Sequence, residues 1–261
     1  METTVTTPSR QTRTIVWLTL LLLAAIAWVV IFQQTQMIAS VNEGMAAMEA
    51  GPISLLLFLP VWVSMMVAMM FPAVAPVVSL FATISTKRRA ANQPAAPTWI
   101  FLVGYLFVWS LFGIGAYLLS LVIPAIGMMA AGLRVDHPLA AGIVLIFAGL
   151  YQLSPLKQVC LRHCRSPLSV ILHGWHDGYG GAFRMGFKHG AYCLGCCWGL
   201  MFVLFAVGLM NLVWMVGLTI AIFVEKVFSQ GPLISRLIAL ALVLFGIVTL
   251  VMPWFSQPMM N

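Results

Sequence analysis

The stretch His189 to Lys226, HGAYCLGCCWGLMFVLFAVGLMNLVWMVGLTIAIFVEK, opens on a histidine and three cysteines, turns almost purely apolar and closes on an acid–base pair. A helix begun by His189 advances about 100° per residue. His189, Cys193, Cys196 and Cys197 then share an arc of roughly 100°. Three thiols and an imidazole on one stripe make a candidate soft-metal site. The apolar run behind them sets the fold class, and the rest of the chain agrees with it. Of 261 residues, 62% are hydrophobic and 7% charged, where a soluble domain carries about 25% charged residues. The reading is all-α: a polytopic helical membrane protein with about seven spans, or six if the stretch after His189 is one long kinked helix.

Working outward, residues 1–13 read as a disordered tail and 14–255 as a single helical transmembrane domain. Spans are expected at Ile15–Phe32, Pro52–Ile84, Trp99–Ile123 and Leu139–Leu153, then two crossings between 191 and 224 that turn near Gly208–Asn211, and a last at Pro232–Trp254. The second span holds Pro60, Pro72 and Pro76, each of which removes a backbone donor. Residues 154–190 read as a Cys-, His- and Gly-rich loop, because glycine density argues for irregular backbone. There is no internal repeat.

The net charge of +7 would raise the question of nucleic acid, but the basic residues lie in short loops between apolar runs, so that partner is set aside. With the N-terminus in the cytoplasm and seven alternating spans, 12 of the 13 Lys and Arg residues fall on the cytoplasmic side. Only Arg134 falls outside, together with the acids Glu43, Glu49 and Asp136. All five cysteines then lie in the cytoplasmic half, where thiols stay reduced. Cys160 and Cys164 flank His163 in the run CLRHC. With Cys193 and Cys196 they supply two pairs, at spacings not diagnostic of zinc or an iron–sulfur cluster. Cysteine is also an ordinary small hydrophobe in membranes, but three clustered thiols beside His189 favour ligation.

In the second span, Met65 and Met69 share a face at i, i+4, as do Met66 and Met70; Met201 lies one turn beyond Cys197. Thioethers and thiolates suit Cu(I) better than Zn(II), although methionine also fills gaps in ordinary membrane cores. Glu225 and Lys226 are further candidates, or the snorkelling end of a helix. His173 and His176 fit a solvated or headgroup-level position as well as ligation. No nucleophile–base arrangement, phosphate loop or dinucleotide fingerprint is present, so catalysis has no positive signal.

Three ordered motifs carry a family resemblance: W-x-x-M-M-x-A-M-M-x-P at Trp62–Pro72, Y-x-x-S-P-L-K-x-x-C-L-x-x-C-R-x-P at Tyr151–Pro167, and G-x-x-H-G-x-x-C-x-G-C-C-W-x-L-M at Gly186–Met201. Together with the later G-L-M-N and E-K, the chain resembles, over roughly residues 55–250, the prokaryotic family of predicted metal-binding integral membrane proteins. The resemblance implies a metal link and an inner-membrane address. The leading expectation is capture of Cu(I) by Cys193, Cys196, Cys197 and His189 and relay along the methionines. The alternatives are a metal-loading accessory or assembly factor, with a metal chaperone or metalloenzyme as partner, a membrane thiol–disulfide or electron-transfer protein using Cys193 and Cys196, and a scaffold subunit. Metal identity, direction of movement and oligomeric state stay open at this point.

Overall fold

Long apolar runs can satisfy their backbone donors and acceptors in lipid only as helices, and the computed structural model is built that way. It describes residues 8–41, 52–129, 138–166, 175–207, 211–228 and 230–251. Among the described residues there are eight helices and no strand: α1 (Pro8–Val41), α2 (Pro52–Ala90), α3 (Thr98–Met129), α4 (Pro138–Leu153), α5 (Pro155–Arg165), α6 (Gly178–Val207), α7 (Leu212–Val227) and α8 (Gly231–Val251). Five of them contain stretches long and apolar enough to cross a membrane, and six spans result if the bent pair α4–α5 counts as one. This is the architecture of a polytopic helical membrane protein, with fewer qualifying spans than the seven expected. The difference lies mainly in α7. Its 16 residues rise about 24 Å, short of a hydrocarbon core of about 30 Å.

Several boundaries differ from expectation. α2 is a single helix through all three prolines, so none of them breaks it. α3 runs on through Pro124 to Met129. The expected loop 154–190 contains all of α5 and the first turns of α6, and Gly178–Gly190 is helical rather than irregular. The reason is packing. A side chain on Gly186 would collide with the Phe101 carbonyl, and one on Gly190 would crowd that of Tyr105; from the other side, one on Gly104 would collide with the Phe183 carbonyl. The glycines therefore serve close approach of α3 and α6 rather than a break in α6. Glu43, Glu49, Arg134, Asp136, His137, His173 and the turn at Gly208–Met210 lie outside the described residues.

At Ser154 the chain bends by 63° between α4 and α5. Pro155 excludes the helical conformation from the residue before it, so Ser154 is extended (φ −64°, ψ 144°) and caps α5 by accepting from the Lys157 backbone N–H at 3.2 Å. The bend lays α5 against α6. Around this centre α1 packs on α2, α2 on α3 and α7, and α4 on α8 through Gly142, Gly149 and Gly246. Trp62 Nε1 donates to the Trp109 carbonyl at 2.9 Å and ties α2 to α3. Leucines, isoleucines and valines of α1, α3, α4, α7 and α8 face outward, as lipid-facing side chains do.

Candidate metal centre

The cysteine stripe of α6 faces inward: Cys193, Cys196 and Cys197 are all buried. The α4–α5 bend brings a fourth thiol to them. Cys164 Sγ lies 3.6 Å from Cys196 Sγ, and Cys196 Sγ lies 3.4 Å from Cys197 Sγ. Cys196 Sγ also donates to the Cys193 backbone carbonyl at 3.1 Å. All five cysteines are free thiols. Small residues let the two elements approach so closely. The Gly195 α-carbon faces Cys160 Sγ, the Gly199 α-carbon faces the Tyr151 ring, and the Tyr151 hydroxyl donates to the Gly195 carbonyl.

Cys193 is the hub of the cluster. Tyr105 of α3 places its hydroxyl 3.0 Å from Cys193 Sγ, and Lys226 of α7 donates to the same sulfur from Nζ at 2.9 Å. Three elements, α3, α6 and α7, thus meet at one sulfur, and α5 reaches the neighbouring Cys196 through Cys164. The neighbouring Glu225 serves a different partner. Its Oε2 pairs with Lys157 Nζ at 2.8 Å, and its Oε1 accepts from Gln152 Nε2 at 3.1 Å. Ser235 of α8 donates to the Gln152 carbonyl at 3.2 Å. Lys157 and Glu225 are almost wholly inaccessible, at 0% and 1% exposure. A buried pair of this kind persists only with its remaining hydrogen-bonding capacity satisfied, which Gln152 does for the carboxylate.

His189 sits one turn before Cys193, buried between the rings of Phe101 and Tyr105, each with its centroid 6.0 Å away. Its Nδ1 is buried with no hydrogen-bond partner. Buried polar atoms are nearly always satisfied, so this one is available to a ligand. The remaining candidates separate. His163 stacks on Tyr192 at 4.4 Å and binds the Val159 carbonyl through Nδ1 at 3.0 Å. Cys160 is buried against Gly195. Met65, Met66, Met69 and Met70 are all buried in α2, and Met201 is buried in α6. His176 lies 3.5 Å from Arg184, near the Arg88–Asp177 ion pair. Tyr105, Lys157 and Gln152 were missed in the sequence. For Lys157 and Gln152 the available signal was a polar side chain beside an apolar span, which is usually functional or paired.

Among the described residues no three His, Cys, Asp or Glu side chains stand pre-arranged around an ion position. The sulfurs touch one another instead. The donor set itself is soft.

A helical multi-span protein with a buried sulfur centre is thereby defined. The chain belongs to the copper chaperone family PpoB2, which it matches over residues 59–249, from α2 to α8 and including every thiol. A copper-related accessory role comes with that membership. Neither the curated proteins nor the solved structures contain a significant match.

Proposed function

We propose that the chain is a copper-delivery protein of the prokaryotic inner membrane, with its N-terminus in the cytoplasm. It holds Cu(I), its cargo, within the thiol cluster of Cys164, Cys193, Cys196 and Cys197, which supplies the ligands, with the free nitrogen of His189 beside them. The convergence of four thiols from two helices carries this reading. Membership in a copper chaperone family supports it. Softness favours Cu(I) over Zn(II) on such donors. The methionines of α2 form the onward path, since thioethers hold Cu(I) without retaining it, and a metalloenzyme is the recipient.

Metal analysis of the reduced protein, purified anaerobically in detergent, tests both halves. Wild type is expected to retain about one Cu(I) per chain in preference to zinc, and Cys193→Ser with Cys196→Ser to retain almost none. Met66→Leu with Met70→Leu is expected to bind copper normally but pass it more slowly to a Cu(I) acceptor, because leucine conserves volume without the sulfur. Copper retained by the serine variant would overturn the site, and unchanged transfer by the leucine variant would overturn the path. A second reading, thiol–disulfide exchange, draws on the 3.6 Å between Cys164 and Cys196. A Cys164–Cys196 disulfide trapped in growing cells, with no copper on the isolated protein, would favour it.

A further inference from the structure

We propose that Lys226 is the counter-ion of the copper–thiolate complex and that its single charge sets the number of thiolates on the metal at two. This rests on the copper-delivery reading above, and it begins from a count of buried charge. Lys157 and Glu225 form a pair at 2.8 Å and cancel. Both oxygens of Glu225 are engaged, one by Lys157 and the other by Gln152. The adjacent carboxylate in the sequence is therefore no partner for Lys226. Lys226, 8% exposed, instead directs its ammonium at Cys193 Sγ, 2.9 Å away. Among the described residues, the polar groups placed around this one positive charge are thiols, the Tyr105 hydroxyl and the imidazole of His189.

An unbalanced charge in such a place is costly, and a single opposite charge in contact removes most of the cost. Cu(I) on one thiolate is neutral and leaves Lys226 unbalanced. On two thiolates the complex carries one negative charge and Lys226 cancels it. On three the excess is negative by one. The thiol protons displaced as Cu–S bonds form pass to solvent. Cys193, in contact with the ammonium, is the first thiolate, and one of the clustered thiols Cys164, Cys196 and Cys197 is the second. The remaining thiols and His189 then stand beside the metal as incoming ligands for its departure. Lys226 touches the sulfur rather than the copper, so it is a positioning and charge-setting residue.

The test has two independent arms. X-ray absorption on copper-loaded wild-type protein, in detergent and under reductant, should show copper bound by two sulfurs; three or four sulfurs would overturn the proposal without any variant being made. In competition with a chromophoric Cu(I) chelator, Lys226→Gln should lose at least about tenfold in affinity, as removal of one partner of a buried charge pair does. Lys226→Arg, which keeps the charge, should recover most of that loss. Affinity within twofold of wild type for Lys226→Gln would overturn the role of Lys226, and so would equal loss in Gln and Arg variants. Wild-type protein that binds no Cu(I) would instead overturn the delivery reading on which this one stands.

Discussion

At the scale of single residues, the buried charges make the sharpest demands. Lys157 and Glu225 are held together where almost no water reaches, so removing one leaves the other uncompensated. Glu225→Leu is expected to destabilise the protein by about 3–5 kcal/mol, and Lys157→Met combined with Glu225→Leu to recover most of that, because a well-packed apolar pair avoids desolvation altogether. Thermal unfolding in detergent, comparing the single and double variants, checks both directions. Recovery failing in the double variant would mean that the pair does more than cancel itself. The residues of this network show how far sequence reading reaches. Cys193, Cys196, Cys197 and His189 stand out by helical phase alone. The adjacency of Cys164 does not, because it depends on a bend between helices rather than on spacing. Tyr105 lies in an apolar run where a tyrosine at a helix contact looks like any other aromatic, and only the fold shows its hydroxyl at a sulfur.

At the scale of elements, the contact between α3 and α6 positions Tyr105 against Cys193, and it depends on missing side chains. Gly104→Leu or Gly186→Leu forces backbone apart, since the added carbon meets a carbonyl oxygen in each case. Overpacking of this kind costs roughly 1–3 kcal/mol. Both variants are expected to open the cluster to a thiol reagent such as DTNB under native conditions, whereas Gly115→Leu, with nothing near its α-carbon, leaves reactivity unchanged. Equal reactivity in all three would separate the glycine contacts from the sulfur centre. Hydropathy found the apolar helices, because an apolar run in lipid has no alternative to a helix. It placed α4, α7 and α8 within three residues, while α1, α2 and α3 run six to nine residues past their expected ends. It failed on the first turns of α6, where glycines usually mark irregular backbone but here provide room for α3. Proline counts misled less: α2 stays continuous through three of them.

At the scale of the whole molecule, the orientation rests on the distribution of basic residues, and its test has to respect burial. The native cysteines are buried, so an impermeant maleimide should leave wild type nearly unlabelled from either side. Gln93→Cys, on the exposed connection after α2, is expected to label only once the cytoplasmic face is opened, and Glu43→Cys to label in intact spheroplasts. The opposite pattern would invert the orientation and the reducing environment argued from it. One property of the sulfur centre has a bearing on engineering. Its parts come from α3, α5, α6 and α7, and α5 reaches it only through the bend at Ser154. A peptide copied from His189–Met201 contains three of the four clustered sulfurs and none of Cys164, Tyr105 or Lys226. The motif most visible in the sequence is therefore not portable: grafted onto another helix, it transplants the ligands and leaves their environment behind.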